Sequence, residues 1–320
     1  MVFDGFFVYH LVRELNTQLE KARLEKIYQT NEMSFVFVFY SRGQRMFMNL
    51  NLSSHNFGAY LTQTKNESTQ NSQFLNSLKR NLEGAIVQNI SQYKTDRVMI
   101  FNFTISDFID GTITKQLIFE AMGKHSNLLI IKDGLIVDTF KKMFFAEGRQ
   151  LIPQAHFEFF PTSKLPFDQI DYSKIFSYKD IVDQYMGVSP ILAKYLIEHN
   201  IQITDIKINP TKQIDSKKSY IFDIFDTNKE KKHYTTISEL MDDQDIEKKA
   251  SVSSHQVFIE KQLKKLLKKR EQFTGMLESA QQNLLNKEKG DMIYQSGLKM
   301  SERVSELQSN DESILLDPTK

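Results

Sequence analysis

Cysteine and tryptophan are absent from this 320-residue chain, and proline (6) and glycine (12) are scarce. Without cysteine there is no disulfide, no thiolate zinc site and no cysteine nucleophile. No window of about 18 apolar residues occurs, so the sequence offers no membrane-spanning helix. Residues Met1 to Leu19 carry Asp4, Arg13 and Glu14 inside the apolar pattern. They lack a basic leading region and a small-residue cleavage site, so they do not read as a signal peptide, and a cytoplasmic location is the default reading. The nucleophile elbow and the HExxH, GxGxxG and Walker patterns are missing. The 7 histidines are scattered, with no pair at metal-ligand spacing, so no cofactor or metal is expected. Charge of one sign is also lacking: 41 Lys and Arg face 40 Asp and Glu, a net +1. The sum alone predicts no polyanion partner, and the distribution has to decide.

What is present is phenylalanine, 25 residues of it, in a chain that is 40% hydrophobic and 25% charged. That composition supports a soluble fold with a real core, and the length implies two or three domains. Phe3, Phe7, Leu11 and Leu15 recur at a spacing of four, which predicts an amphipathic helix with Asp4 near its start. Residues 33–40 (MSFVFVFY) are almost wholly apolar. Met46, Met48, Leu50 and Leu52 alternate with polar neighbours. These two read as strands joined by a hairpin turn at Ser41-Arg42-Gly43-Gln44. Residues 65–72 read as a loop. Phe74, Leu75, Leu78 and Leu82 predict a short helix stopped at Gly84. Residues 86–93, 97–104, 116–122 and 127–132 read as strands, and Asp133-Gly134 as a turn into 135–140. The expected class is α+β, built on antiparallel sheets.

Pro153, Pro161 and Pro166 mark a boundary, placing a first domain at 1–170. Residues 178–200 read as two helices joined at Tyr185-Met186-Gly187-Val188-Ser189-Pro190, with Ser189 as N-cap and Pro190 at the first helical position. Such a turn suits either a plain helical hairpin or a backbone phosphate contact. Residues 219–240 read as a small strand pair and a helix, completing a second domain at 171–250. From Ile259 through Leu263, Leu266, Arg270, Phe273, Leu277, Ala280 and Leu284 the apolar spacing becomes heptad-like. The same stretch carries Lys261, Lys264, Lys265, Lys268 and Lys269. A third domain, 251–320, therefore reads as a basic coiled-coil arm, either a plain charged helix or one that lies on RNA. Its return helix is not found within the chain, which looks truncated on this reading.

Three short constellations remain: Phe3-Asp4-Gly5, Thr95-Asp96-Arg97, and residues 120–127 (EAMGKHSN). Taken singly, each has an ordinary structural use as a helix cap, a turn or a loop. Gly123, Lys124 and His125 also offer a backbone N–H, a cation and an imidazole to one anion, the makings of a phosphate pocket.

Together these residues resemble the signature of the NFACT family. The resemblance runs from Phe3-Asp4-Gly5 through Arg13-Glu14-Leu15 and Thr95-Asp96-Arg97 to Gly123-Lys124-His125-Ser126-Asn127. Gly187-Val188-Ser189-Pro190 is similar to the family's helix-hairpin-helix turn, and Leu316-Asp317-Pro318-Thr319-Lys320 to the lead into its second coiled-coil arm. Bacterial members are the RqcH proteins, also called fibronectin/fibrinogen-binding proteins. The resemblance implies an N-terminal domain like that of formamidopyrimidine-DNA glycosylases, a helix-hairpin-helix domain and a coiled coil. The glycosylase's Pro-Glu start and cysteine zinc finger are missing, so its chemistry is not expected. What is implied instead is a factor that binds the large ribosomal subunit carrying peptidyl-tRNA. It recruits alanyl-tRNA for alanine tailing without mRNA, and the ribosome makes the bonds. Asp4, Asp96 and Arg97 match positions used for tRNA. Glu120, Gly123, Lys124, His125 and Ser126 are added as tRNA-binding candidates, and Lys261, Lys264, Lys265, Lys268 and Lys269 as ribosome contacts. A surface adhesin for fibronectin or fibrinogen is the competing reading, and a DNA-processing enzyme rests on fold analogy alone. The family's Pro-Gly and Pro-Pro steps are replaced here by Pro153-Gln154 and Phe160-Pro161, so the loop is expected to differ there.

Overall fold

A computed structural model describes residues 2–54, 56–63, 70–107, 111–144, 148–214, 218–225, 228–251 and 254–295. The expected loop at 65–72 lies mostly outside them, and the segment 316–320 wholly so. The chain forms two compact units, residues 1–248 and 249–320.

Helix α1 (Gly5–Leu19) forms as its apolar spacing predicts, burying Phe6, Phe7, Val8, Leu11, Val12, Leu15 and Leu19. Asp4 is its N-cap, and Asp4 Oδ1 accepts a hydrogen bond from Phe7 N at 2.9 Å. A cap of this kind stabilises a helix by about 1 kcal/mol.

Nine strands make one antiparallel sheet, in two meanders. The first holds β1 (Arg23–Asn31), β2 (Ser34–Ser41), β3 (Gln44–Asn51) and β4 (Gly58–Thr62). The second holds β5 (Ile86–Gln92), β6 (Val98–Asp107), β7 (Gly111–Glu120), β8 (Asn127–Lys132) and β9 (Leu135–Thr139). Helix α2 (Gln73–Leu82) connects them, and β1 meets β5 at the single register pair Arg23↔Ile86. Strands β1 and β4 are not foreseen from the sequence. In β1 charged and polar residues break the alternation, and β4 is only five residues long. Strand β7 begins five residues earlier than its apolar portion, because Thr112 to Lys115 pair with β6 through backbone alone.

Both hairpin turns follow from their sequences. Arg42 and Gly43 have φ of 51° and 81°, and Asp133 and Gly134 have 52° and 75°. Two consecutive positive-φ residues match the right-handed twist of the flanking strands.

Strands β6 to β8 bury both faces by strict alternation. Met99, Phe101, Phe103, Leu117, Phe119, Leu128 and Ile130 point into the main core with α1. Val98, Ile118, Leu129, Ile131 and Ile136 face the other way, into a smaller core closed by Leu151, Phe157 and Phe159.

The main core continues through the boundary expected near residue 170. Strand β10 (Leu165–Pro166) pairs in parallel with β11 (Tyr185–Met186). Helix α3 (Tyr178–Gln184) precedes β11, and α4 (Pro190–His199) follows it with Ser189 as N-cap and Pro190 in the first turn. A three-stranded sheet of β12 (Thr211–Gln213), β13 (Ser219–Tyr220) and β14 (Lys231–His233) comes next, then α5 (Ile237–Ser251). The Arg13-Glu14-Leu15 motif gains a structural meaning here. Glu14 accepts from Ile237 N at 2.7 Å and Ser238 N at 3.0 Å, supplying the first turn of α5 with an acceptor.

The second unit contains α6 (Ser254–Gln295), 42 residues long. Ile259, Leu263, Leu266, Phe273, Leu277 and Leu284 are all exposed on it, as are Lys261, Lys264, Lys265, Lys268 and Lys269. No helix among the described residues is long and apolar enough to cross a membrane.

Candidate nucleic-acid interface

Three of the sequence motifs meet at one backbone crossing. Phe6 N donates to Gly187 O at 2.9 Å, joining the start of α1 to the turn before α4. Thr95 lies between them: its hydroxyl donates to Met186 O at 3.0 Å and accepts from Phe167 N at 3.2 Å. A Cβ at Gly5 would lie 1.8 Å from Thr95 O, and one at Gly187, whose φ is 86°, would lie 2.2 Å from the same oxygen. Neither position has room for any other residue. Gln92 ties the crossing from the third side, donating to Gly5 O at 2.8 Å and to Asp96 O at 2.6 Å.

Asp4 sits inside this crossing and is 7% exposed. Its Oδ2 accepts from Ser189 Oγ at 2.5 Å, Ser189 N at 3.4 Å and Tyr220 Oη at 2.8 Å. Burial pushes the carboxyl above its usual range, and the bonds from Ser189, Phe7 and Tyr220 pull it back. Burial and the neighbouring Asp4 hold the Tyr220 phenol protonated, well above its ordinary value. The turn before α4, read from the sequence as a plain hairpin or a phosphate contact, thus has its cap residue Ser189 bonded to the chain's own Asp4 carboxyl.

Asp96 and Arg97 are half-buried, at the turn into β6. Asp96 Oδ1 accepts from Arg97 N at 2.7 Å, so the acid shapes the turn that presents the arginine. Among the described residues no carboxylate lies within ion-pair distance of the Arg97 guanidinium. Arg97 lines a cleft of about 340 Å³ together with Asp4, Gly5, Lys164, Tyr185 and Ser189.

The lysine–histidine loop is placed separately. Gly123 to His125 form one 3-10 turn, opened by Gly123 at φ 61°. Lys124 and His125 are exposed, and Lys141 Nζ donates to Lys124 O at 2.9 Å. Neither Lys124 nor His125 lines the Arg97 cleft. The sequence motifs therefore give two neighbouring features rather than one pocket. They are linked through the backbone, because Ala121 N donates to Arg97 O at 2.8 Å.

Glu120 and Ser126 lie inside, 2% and 0% exposed, where any part in binding runs through the groups they hold. Glu120 forms an ion pair with Arg149, whose side chain is 8% exposed. Burial raises the Glu120 carboxyl, Arg149 opposes the rise, and nearby Asp96 adds to it. Arg149 also lies over the rings of Phe157 and Phe160, at 5.1 and 4.7 Å. Arg149, Gln92, Lys164 and Tyr220 are the residues that sequence reasoning misses. Each sits in an ordinary loop or strand context, and only folding brings it to a motif. No group of three or more His, Cys, Asp or Glu among the described residues is arranged to hold a metal.

Comparison with known proteins gives the family. Residues 4–239 match the model of the NFACT N-terminal and middle domains. The chain is 28% identical to the Rqc2 homolog RqcH of Streptococcus suis, over 99% of this chain and 61% of the relative. A second relative, the Rqc2 homolog RqcH of Bacillus subtilis, is 27% identical over 61% of this chain and 37% of its own length. The chain thus spans about three fifths of the Streptococcus suis protein. Among solved structures, the N-terminal part of the fibronectin/fibrinogen-binding protein of Streptococcus suis superposes with a TM-score of 0.69. It is 27% identical, and the match covers 77% of this chain and 100% of that one. The mixed α/β fold with its large antiparallel sheet is the one these relatives share, and the chain belongs to the NFACT family.

Proposed function

We propose that this chain binds tRNA at the Arg97 cleft and acts in ribosome quality control. On this reading it recruits alanyl-tRNA to a large subunit that carries peptidyl-tRNA, for alanine tailing of the stalled chain. The chain catalyses no step itself, since peptide bonds form on the ribosome. Residues 1–170 are then the glycosylase-like domain, 171–250 the helix-hairpin-helix domain, and 251–320 the first coiled-coil arm.

The observation that carries the reading is a guanidinium that lines a cleft and has no carboxylate partner among the described residues, held by a turn that Asp96 shapes. A planar guanidinium with free N–H groups matches a phosphate in bidentate fashion. Asp4, Glu120 and Ser126 act as positioning residues. Gly123, Lys124 and His125 form a second contact with the RNA backbone. The exposed lysines Lys261, Lys264, Lys265, Lys268 and Lys269 contact ribosomal RNA. The RqcH names of the curated relatives support this function.

The test measures tRNA affinity and large-subunit co-sedimentation across a salt series. Asp96→Ala with Arg97→Ala is expected to weaken tRNA binding at least ten-fold, about 1.4 kcal/mol, with the fold intact by circular dichroism. Neutralising Lys264, Lys265, Lys268 and Lys269 together is expected to flatten the salt dependence of co-sedimentation. Unchanged tRNA affinity in the double variant would sink the site. The names of the solved relatives support a second reading, a fibronectin- or fibrinogen-binding surface. Immobilised fibronectin in the same assay separates the two.

A further inference from the structure

We infer that Lys164 is a second RNA-phosphate contact in the Arg97 cleft, adding one positive charge to its hold on a polyanion. The inference rests on the proposed tRNA reading and adds a residue outside every motif discussed above.

The cap residue of α4, Ser189, is already bonded to Asp4. Asp96 bonds the backbone N–H of Arg97 and leaves its guanidinium to the cleft. A polyanion is held by several phosphate contacts, so one arginine calls for a further cation beside it. Lys164 is the other cation lining the cleft.

The position of Lys164 is set by the fold rather than by chance on a free surface. It immediately precedes β10, whose Leu165 and Pro166 pair with Tyr185 and Met186 of β11, and both of these also line the cleft. Its Nζ donates to Val182 O near the end of α3 at 2.7 Å. That bond uses one of the three donors of an ammonium and leaves two for a ligand. The side chain is exposed, and no carboxylate among the described residues lies within ion-pair distance of it. A carbonyl-anchored ammonium and a turn-anchored guanidinium in one cleft suit a phosphodiester backbone better than a neutral ligand. Lysine contributes a point charge, while arginine supplies the directed pair of bonds.

The experiment is a tRNA titration at several KCl concentrations with wild type, Lys164→Gln, Lys164→Arg and Arg97→Gln. Lys164→Gln is expected to weaken binding at every salt and to reduce the slope of log affinity against log salt by about 1. Lys164→Arg should restore the slope. In parallel, lysine acylation of the wild-type protein is read by mass spectrometry, with and without tRNA, and Lys164 is expected to be protected. If wild type and Arg97→Gln bind tRNA alike, the proposed function falls and this inference with it. If Arg97→Gln weakens binding but Lys164→Gln keeps the wild-type slope, or Lys164 stays reactive in the complex, only the assignment of Lys164 is overturned.

Discussion

The two faces of β6, β7 and β8 are buried by different means. The inner face packs on α1, a regular helix whose apolar stripe meets Phe101, Phe103 and Phe119. It is sealed at one end by backbone crossing backbone, with Gly5 and Gly187 against Thr95. The one buried carboxylate there, Asp4, has four donors around it. The outer face is covered by an irregular stretch containing Met143, Leu151, Phe157 and Phe159. That cover is pinned by the Glu120–Arg149 pair, in which Arg149 Nε and Nη1 have no hydrogen-bond partner among the described residues. Alternating strands do not by themselves decide how well each face is finished. A regular helix satisfies its own backbone, whereas an irregular cover depends on individual polar contacts.

The largest expected effect tests that dependence. Glu120→Ala would leave a buried guanidinium with no anion, at a cost of about 3–5 kcal/mol in a denaturant titration. Replacing both partners, Glu120→Gln with Arg149→Met, should recover most of it. A loss below about 1 kcal/mol for Glu120→Ala would mean that the cover does not rely on the pair.

A middle-sized effect sharpens the other side of the comparison. His10 packs edge-on against Phe6 on α1, with ring centroids 4.7 Å apart. Burial, with a smaller push from Arg13, lowers its pKa to about 4. The unfolded chain takes up a proton near pH 6.5 while the folded protein does not, so this contribution is present above pH 6.5 and lost as pH falls toward 4. Because the ring is partly solvated, about 1–2 kcal/mol is expected across that window. His10→Gln should flatten the stability profile between pH 6.5 and 4. An unchanged profile would remove His10 from the account.

The smallest effect returns to the outer cover. Ala155 N donates to Ile152 O at 3.2 Å around Pro153 and Gln154, and Gln154 has φ 70°. Proline second and a positive φ third is the pattern of a type II turn, which favours glycine at the third place. The chain makes a tight turn here with glutamine bearing the left-handed conformation. Gln154→Gly should raise stability by roughly 0.5 kcal/mol, the relief of strain less the added freedom of the unfolded chain. A lower melting temperature would show that the Gln154 side chain contributes more than its backbone costs.

Much of this was legible in the sequence wherever one segment sufficed to state it. The α1 stripe, the two positive-φ hairpin turns, the Ser189 cap and the alternation of Met46, Met48 and Leu50 in β3 are local patterns, set by periods of 3.6 and 2 and by glycine's freedom. Strands β1 and β4 were not legible, because their neighbours rather than their own composition bury them. The motif residues were recognisable as a set, but their duties were not. Asp4 and Arg97 were matched alike to tRNA positions, yet Asp4 is enclosed and Arg97 lines a cleft.

The residue order therefore determined which segments are helix or strand, and it carried the family's motifs. Tertiary structure alone decided that residues 5, 95 and 187 cross at contact distance, that Tyr220 and Ser189 share one carboxylate, and that Lys164 joins Arg97. The physical reason is range. Backbone preference acts over a few residues, whereas enclosure of charge depends on whatever distant segment arrives to donate a hydrogen bond or displace water.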